Sequence, residues 1–148
     1  MNTAIRLFVT GCGAGYLPIA PGTWGSALGM LIAWFAFPHT PALLVATIIL
    51  SSIAVPAATR AETLFGKTDD GRIVVDEVAG YWVSVLFLPH TIPVFVGAFF
   101  LFRLFDVLKP LGINRTQKLP GGWGIVVDDL LAGALANGVL QAAVALFA

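Results

Sequence analysis

Charged residues are scarce in this chain of 148 residues. Only 11% of the residues are charged and 58% are hydrophobic, with a mean hydropathy of +0.92. A soluble domain carries about 25% charged residues, which solvate its surface, whereas a hydrocarbon environment removes that requirement. The composition therefore predicts an integral membrane protein and excludes an ordinary soluble domain.

An excess of basic residues is missing, and so is a pair of cysteines. Eight Lys and Arg residues balance eight Asp and Glu residues, which gives no support for nucleic-acid binding. The single cysteine, Cys12, excludes an intramolecular disulfide. One basic residue, Arg6, precedes a Gly- and Pro-rich stretch, a pattern that does not fit a signal peptide. We expect one membrane-embedded domain over residues 1–148.

Apolar segments separated by prolines and charges predict an all-α fold, a polytopic membrane bundle with about five embedded helices. Proline turns at 38–41 and 89–93 divide two of the apolar segments into helical pairs. Three helices are shorter than the roughly 20 residues that a span needs, so their charged ends should lie at or below the headgroups. The predicted helices are 24–37, 42–64, 73–88, 93–108 and 124–147.

The charged residues occur in three parts of the chain: Arg6, the segment 60–77 and the segment 103–129. The two proline turns and the remainder of the last helix contain none. Five crossings would place every charge on one side of the membrane, and the basic residues make that side cytoplasmic. We therefore predict a cytoplasmic site and a C-terminus on the far side.

Five carboxylates lie at three predicted helix ends: Asp76 and Glu77, Asp106, and Asp128 and Asp129. Ionisable groups at the edge of apolar helices are costly, which makes each a functional candidate. Clustered carboxylates repel unless a cation lies between them, and oxygen ligands suit Mg²⁺ or, next, Mn²⁺. Solvated helix caps are the alternative, although capping does not explain Asp106 near a helix C-terminus. We predict a magnesium site formed by all five.

Two further groups are candidates for binding a phosphate. Arg103, Asp106 and Lys109 recur at three-residue intervals on one helical face, where the cations can hold an anion. Snorkelling to the interface is the alternative, chiefly for Lys109. Thr23 or Ser26 should cap the helix after the proline-rich segment, and its free N–H groups can hold a phosphate oxygen. Capping without a ligand remains open for that helix.

Residues 73–80 resemble residues 125–133 with one residue inserted, IVVDEVAG against IVVDDLLAG. In one interpretation, each segment is a helix that enters the membrane with paired carboxylates in its first turns and small residues for close helix contact. The other interpretation is chance similarity among apolar segments. The sequence leaves both open.

Four blocks of the sequence resemble the phosphatidylglycerophosphatase A family, in the family's order and over nearly the whole chain. The resemblance implies a bacterial inner-membrane enzyme that uses Mg²⁺ to hydrolyse phosphatidylglycerophosphate to phosphatidylglycerol and inorganic phosphate. The blocks are LPIAPGTWGS at 17–26, IVVDE at 73–77, FRLFDVLKP at 102–110 and GGWGIVVDDLLAG at 121–133.

The resemblance also implies residue roles. It places the family's functional acids at the five carboxylates named above, with Arg103 and Lys109 beside them. One departure is Leu111-Gly112-Ile113 in place of the more usual proline-containing turn. No histidine or cysteine context suits a covalent nucleophile, because His39 and His90 lie in the uncharged turns. Attack by metal-activated water is therefore expected.

Two rival functions use the same residues differently. A cation or proton transporter would use the acidic residues as an ion relay, which predicts carboxylates distributed through the depth of the membrane. A lipid phosphotransferase would require a site for a second substrate. The gathering of the carboxylates at one face favours the phosphatase.

Overall fold

The computed structural model describes residues 1–147, and within this range the chain is helical and contains no strand. The predicted all-α fold is thereby confirmed. Short 3₁₀ turns connect some of the helices at Ala14–Tyr16 and Pro110–Lys118. The α-helices are α1 (Asn2–Val9), α2 (Pro21–Ala36), α3 (Thr40–Phe65), α4 (Val75–Val85), α5 (Ile92–Leu108) and α6 (Gly122–Phe147).

All five predicted helices are present, with shifted ends. α2 begins at Pro21, three residues earlier than predicted, because proline is well suited to the first turn of a helix. α4 ends at Val85, three residues earlier than predicted. Sequence reasoning missed α1, which has only eight residues, and the 3₁₀ turns at 110–118.

α4 is the central helix of the bundle and contacts α2, α3, α5 and α6. Nine of its 11 residues are buried. Two aromatic side chains attach it to its neighbours: the Tyr81 hydroxyl donates to the Phe95 carbonyl of α5 at 2.8 Å, and Trp82 Nε1 donates to the Gly29 carbonyl of α2 at 2.9 Å. Both bonds satisfy buried polar atoms that would otherwise be costly.

α4 can end inside the bundle because α6 supplies partners for its last carbonyl groups. The free carbonyls at a helix C-terminus need donors, and apolar surroundings supply none. Asn137 Nδ2 donates to the carbonyl oxygens of Val83, Ser84 and Leu86 at 3.2, 3.2 and 2.7 Å. Gln141 Nε2 adds a longer bond, at 3.4 Å, to the Leu86 carbonyl.

Two helices are long and apolar enough to cross a membrane, α3 and α6, with 26 residues each. At 1.5 Å per residue each measures about 39 Å, against about 30 Å of hydrocarbon. α2, α4 and α5 have only 16, 11 and 17 residues, so the predicted count of five embedded helices is not confirmed. Large apolar side chains are exposed on the outer faces of four helices, among them Phe35, Ile48, Ile49, Phe100 and Val139.

Candidate active site

The five predicted carboxylates meet at one end of the bundle, where α4 and α6 begin and α5 ends. Asp76, Glu77 and Asp129 each place a carboxylate oxygen within 4.8 Å of the others. Asp106, Asp128 and Asp129 form a second group by the same measure. Asp129 belongs to both groups, so the five side chains form a single cluster around it.

The cluster forms because α4 and α6 cross at a pair of glycines, Gly80 and Gly133. Asp76 lies four residues before Gly80, and Asp129 lies four residues before Gly133. A spacing of four residues is about one helical turn, so each aspartate lies one turn from the crossing point. The crossing therefore places the two carboxylates beside each other.

Most of these carboxylates are buried and incompletely satisfied. Asp76, Asp128 and Asp129 are 6%, 4% and 3% exposed, which does not fit the alternative of solvated caps. A buried charged oxygen without a partner is costly, and a coordinated cation would remove that cost. Among residues 1–147, four buried carboxylate oxygens lack a hydrogen-bond partner: Asp76 Oδ1, Glu77 Oε2, Asp128 Oδ1 and Asp129 Oδ2. An all-oxygen donor set of this kind fits Mg²⁺.

Two cations lie inside the cluster. Lys109 Nζ donates to Asp128 Oδ2 at 2.6 Å and to Asp106 Oδ1 at 3.1 Å, so it joins the end of α5 to α6. The Arg103 guanidinium donates to the other oxygen of Asp106. Although burial disfavours the charged amine, the hydrogen bond to Asp128 raises the pKa of Lys109, and the ammonium form persists. Its head group bonds within the cluster instead of snorkelling.

The first turn of α2 lies directly against the cluster. A Cβ at Gly22 would be 2.6 Å from Glu77 Oε1 and 3.0 Å from Arg103 Nη1. A side chain at this position would have to displace the ends of the Glu77 and Arg103 side chains. The sequence alone does not indicate this role for Gly22, although the residue lies in the block 17–26.

The prediction that Thr23 or Ser26 caps α2 is wrong. α2 begins at Pro21, which places both residues inside the helix, and its N-terminus has no side-chain cap. Ser26 is fully buried, and its hydroxyl donates to the Gly22 carbonyl at 2.9 Å. The proposed contact of Thr23 and Ser26 with phosphate stays a prediction.

Gln117 is a second residue that sequence reasoning missed. Its Nε2 donates to Asp128 Oδ2 at 3.3 Å from the 3₁₀ turns at 110–118. These turns bend sharply, because Lys109, Leu111 and Gly112 all have positive φ angles. No sequence periodicity predicts such a connection, so no signal was available for Gln117.

The loop before α4 is held by an ion pair outside the cluster. Asp70 accepts hydrogen bonds from Arg72 Nε and Nη2, both at 2.8 Å. The Arg72 hydrogen bonds hold the pKa of Asp70 below its usual value, although burial opposes that shift. Arg72 also lies over the Phe65 ring at 4.1 Å. These contacts connect the end of α3 to the start of α4.

Comparisons with known proteins agree with this geometry. A family model described as phosphatidylglycerophosphatase A matches residues 7–144. The chain belongs to the phosphatidylglycerophosphatase A family. The family predicted from the four sequence blocks is thereby confirmed.

Three relatives cover most of the chain. Phosphatidylglycerophosphatase A of Escherichia coli K12 is 33% identical over 144 residues, covering 95% of this chain and 83% of the relative. The Haemophilus influenzae protein of the same name is 33% identical over 136 residues, covering 89% and 83%. A Bacteroides thetaiotaomicron protein with the provisional name phosphatidylinositol-3-phosphatase is 39% identical over 136 residues, covering 86% and 85%. No solved structure matches the chain.

Proposed function

We propose that this protein is a Mg²⁺-dependent phosphatase that hydrolyses phosphatidylglycerophosphate to phosphatidylglycerol and phosphate at the cytoplasmic face of a bacterial inner membrane. The observation that carries the proposal is the group of buried carboxylate oxygens without hydrogen-bond partners, with Arg103 and Lys109 beside them. Two relatives that cover most of the chain bear the name of this activity.

The five carboxylates form two overlapping groups of candidate metal ligands. Asp76, Glu77 and Asp129 form one candidate ligand group, and Asp106, Asp128 and Asp129 form the other. When bound, Mg²⁺ polarises a phosphate oxygen and makes water a stronger nucleophile. The negative charge of the carboxylates also explains why substrate phosphate needs cations nearby, which Arg103 and Lys109 provide.

The remaining side chains bind the phosphate and move protons. Arg103 and Lys109 donate to phosphate oxygens and offset the charge that grows as the reaction proceeds. The first turn of α2 holds Thr23 and, one turn further, Ser26, whose hydroxyls are the candidate contacts for phosphate. The Gly22 N–H also suits a phosphate oxygen, whereas the N–H groups of Thr23 and Trp24 already donate to the Ala20 carbonyl. A carboxylate oxygen that stays off the metal accepts the proton of the attacking water. The water oxygen bonds to phosphorus and the bond from phosphorus to the glycerol oxygen breaks. The leaving glycerol oxygen takes up the proton that the carboxylate accepted and departs as the neutral alcohol.

The membrane arrangement is part of the proposal. Helices α2 to α6 are embedded, the segments 60–77 and 103–123 face the cytoplasm, and the C-terminus lies on the far side. Exposed apolar side chains on α2, α3, α5 and α6 support embedding, and the location of all eight Lys and Arg residues at the charged end supports the orientation. Reporter fusions at the C-terminus and within 38–41 test it, and a cytoplasmic signal from the C-terminal fusion would reject it.

A phosphoinositide is the second candidate substrate. The Bacteroides thetaiotaomicron relative is more similar to this chain than the two phosphatidylglycerophosphatases are. The chemistry is the same, hydrolysis of a phosphate monoester on a phospholipid headgroup. We expect phosphatidylglycerophosphate to be the better substrate, because the matching family carries its name.

The transporter alternative gains no support. An ion relay requires carboxylates at successive depths, whereas all five here belong to two overlapping groups, each within 4.8 Å. Binding of one cation at one place suits chemistry better than transport.

The test is release of inorganic phosphate by purified protein in detergent, with either lipid as substrate. Phosphatidylglycerophosphate should release phosphate with Mg²⁺ and not with EDTA, and should have the higher kcat/KM of the two lipids. Asp76→Asn should abolish most of this activity while the protein stays folded. Equal release with Mg²⁺ and EDTA, or none from either lipid, would reject the proposal.

A further inference from the structure

An apolar groove of about 340 Å³ lies between the 3₁₀ turns at 110–118 and α6. No charged or hydroxyl-bearing side chain lines it, so it offers a ligand only apolar contact. The lining residues are Leu111, Gly112, Ile113, Leu131, Ala134 and Leu135.

The groove lies next to the carboxylate cluster along α6. Asp128, Leu131 and Leu135 follow one another at intervals of three and four residues, which places them along one face of α6. From Asp128 to Leu135 this face extends about 10 Å at 1.5 Å per residue. The opposite wall starts two residues after Lys109, whose Nζ is 2.6 Å from Asp128 Oδ2. The charged end therefore lies about one helical turn of α6 from the apolar groove.

Leu111 forms the outer edge of the groove in an unusual conformation. Its φ angle is +59°, in the left-handed region that costs a residue with a side chain about 1 kcal/mol or more. The residue is 88% exposed, so packing within residues 1–147 does little to offset that cost. Ile113, two residues later, is buried and anchors the turn. An apolar ligand in the groove would contact the exposed side chain.

We propose that this groove holds an acyl chain of the phospholipid substrate while the headgroup phosphate lies at Arg103 and Lys109. The inference rests on the proposed function for its headgroup half. An amphiphile with an anionic head and an apolar tail matches this arrangement, because the cations can bind the head and the aliphatic side chains of the groove can contact the tail. A second copy of this chain would cover the apolar surface and leave the cations without an anion.

Acyl-chain length then contributes to substrate recognition. A lipid tail in a micelle or bilayer is already in apolar surroundings, so the groove discriminates between chains through van der Waals packing and not through transfer from water. These contacts should increase with chain length until the chain passes the end of the groove, about 10 Å from Asp128. Chains of six and sixteen carbons should therefore differ in kcat/KM, because only the longer chain fills the groove.

The first test compares phosphatidylglycerophosphate with hexanoyl and with palmitoyl chains in mixed micelles, for three proteins. Ala134→Phe fills the groove, and Ala145→Phe makes the same change at an exposed position of α6 outside it. The ratio of kcat/KM for long to short chains should fall severalfold in Ala134→Phe and match wild type in Ala145→Phe. The same ratio in all three proteins would overturn the proposal. If Ala134→Phe does not fold, Ala134→Leu should give a smaller shift in the same direction.

A second test needs no turnover and separates the groove from the proposed reaction. Phosphatidylglycerol with a diazirine on its acyl chain is irradiated with each protein, and labelled peptides are identified by mass spectrometry. Label on 111–113 and 131–135 should fall severalfold in Ala134→Phe and persist in Ala145→Phe. Unchanged label would reject the groove even if phosphate release is retained. Label without phosphate release in wild type would reject the proposed function alone. Conversion of a dimer into a monomer by Ala134→Phe, with label unchanged, would assign the groove to a second copy.

Discussion

Gly133 of α6 lies against the backbone of Gly80 of α4, so closely that a Cβ on Gly133 would be 2.2 Å from the Gly80 carbonyl oxygen. A Cβ on Gly80 would in turn be 2.6 Å from the Asp129 carbonyl oxygen. Neither position tolerates a side chain, and small residues are what allow helices in membranes to approach closely. The repeated segments 73–80 and 125–133 therefore make the close helix contact expected of them. This contact sets the separation of Asp76 and Asp129.

Gly133→Ala should destabilise the protein and lower its activity. The added methyl group must push α4 away from α6, and overpacking of this kind costs about 1–3 kcal/mol. Gly138→Ala is the matched control, because nothing lies within 4 Å of its Cβ position and alanine is favoured over glycine in a helix by about 1 kcal/mol. Thermal melting in detergent should place Gly133→Ala below wild type and Gly138→Ala at or above it. Equal melting temperatures for the two variants would refute the close contact.

Asn137→Leu should destabilise the end of α4. The substitution removes a donor to three carbonyl groups. Two of them keep a partner, because the Leu86 N–H donates to the Val83 carbonyl and Gln141 Nε2 donates to the Leu86 carbonyl. The cost therefore falls mainly on the Ser84 carbonyl, and a buried acceptor left without a partner costs about 1–3 kcal/mol in soluble proteins, less in bilayers. Gln141→Leu should have the smaller effect, because its bonds are 3.3 and 3.4 Å long. Hydrogen exchange at 83–88 and thermal melting report the change. If Asn137→Leu melts like wild type, water or another group must satisfy these carbonyls.

Asn137 also shows which features of the fold the sequence predicts and which it does not. Hydrophobic segments and prolines predict the helices, because those signals are local. The end of α4 at Val85 depends on Asn137, which is more than fifty residues away in the chain. The local apolar pattern therefore predicts a helix that continues to residue 88, three residues too far. The five carboxylates could be named from their positions at helix ends and from the family blocks. The pairing of each cation with its carboxylate could not be predicted from the sequence. The bond from Lys109 to Asp128, for example, depends on the positive φ of Lys109.

Lys109→Met should lower kcat/KM for phosphatidylglycerophosphate by about a hundredfold, the typical cost of losing one preorganised donor at a developing negative charge. It removes the ammonium group that bridges Asp106 and Asp128. Lys118→Met is the control, since Lys118 is exposed in the same connection. Phosphate release measured on both variants decides the matter. A loss of less than threefold in Lys109→Met would remove Lys109 from the site.

Asp70 should make the fold sensitive to acid. Because its folded pKa lies below the usual value of about 3.9, the ion pair with Arg72 stabilises the protein above that value. The stabilisation is lost as the pH falls through the folded pKa. Asp70→Asn should therefore melt below wild type at pH 7, with the difference shrinking towards pH 3.

The control for that experiment is Asp69→Asn, at an exposed neighbouring position. It should follow wild type across the whole pH range. A difference between Asp70→Asn and wild type that stays constant with pH would show that packing, and not the ion pair, is responsible.

The central claim is that the buried carboxylates hold a divalent cation, and Asp129 tests it most directly because it belongs to both ligand groups. The measurement is equilibrium binding of Mn²⁺ to purified protein in detergent, followed by the electron paramagnetic resonance signal of the free ion. We predict that wild type takes up Mn²⁺, that Mg²⁺ displaces it, and that Asp129→Asn loses most of the uptake while remaining folded. Equal uptake by wild type and Asp129→Asn would contradict the account.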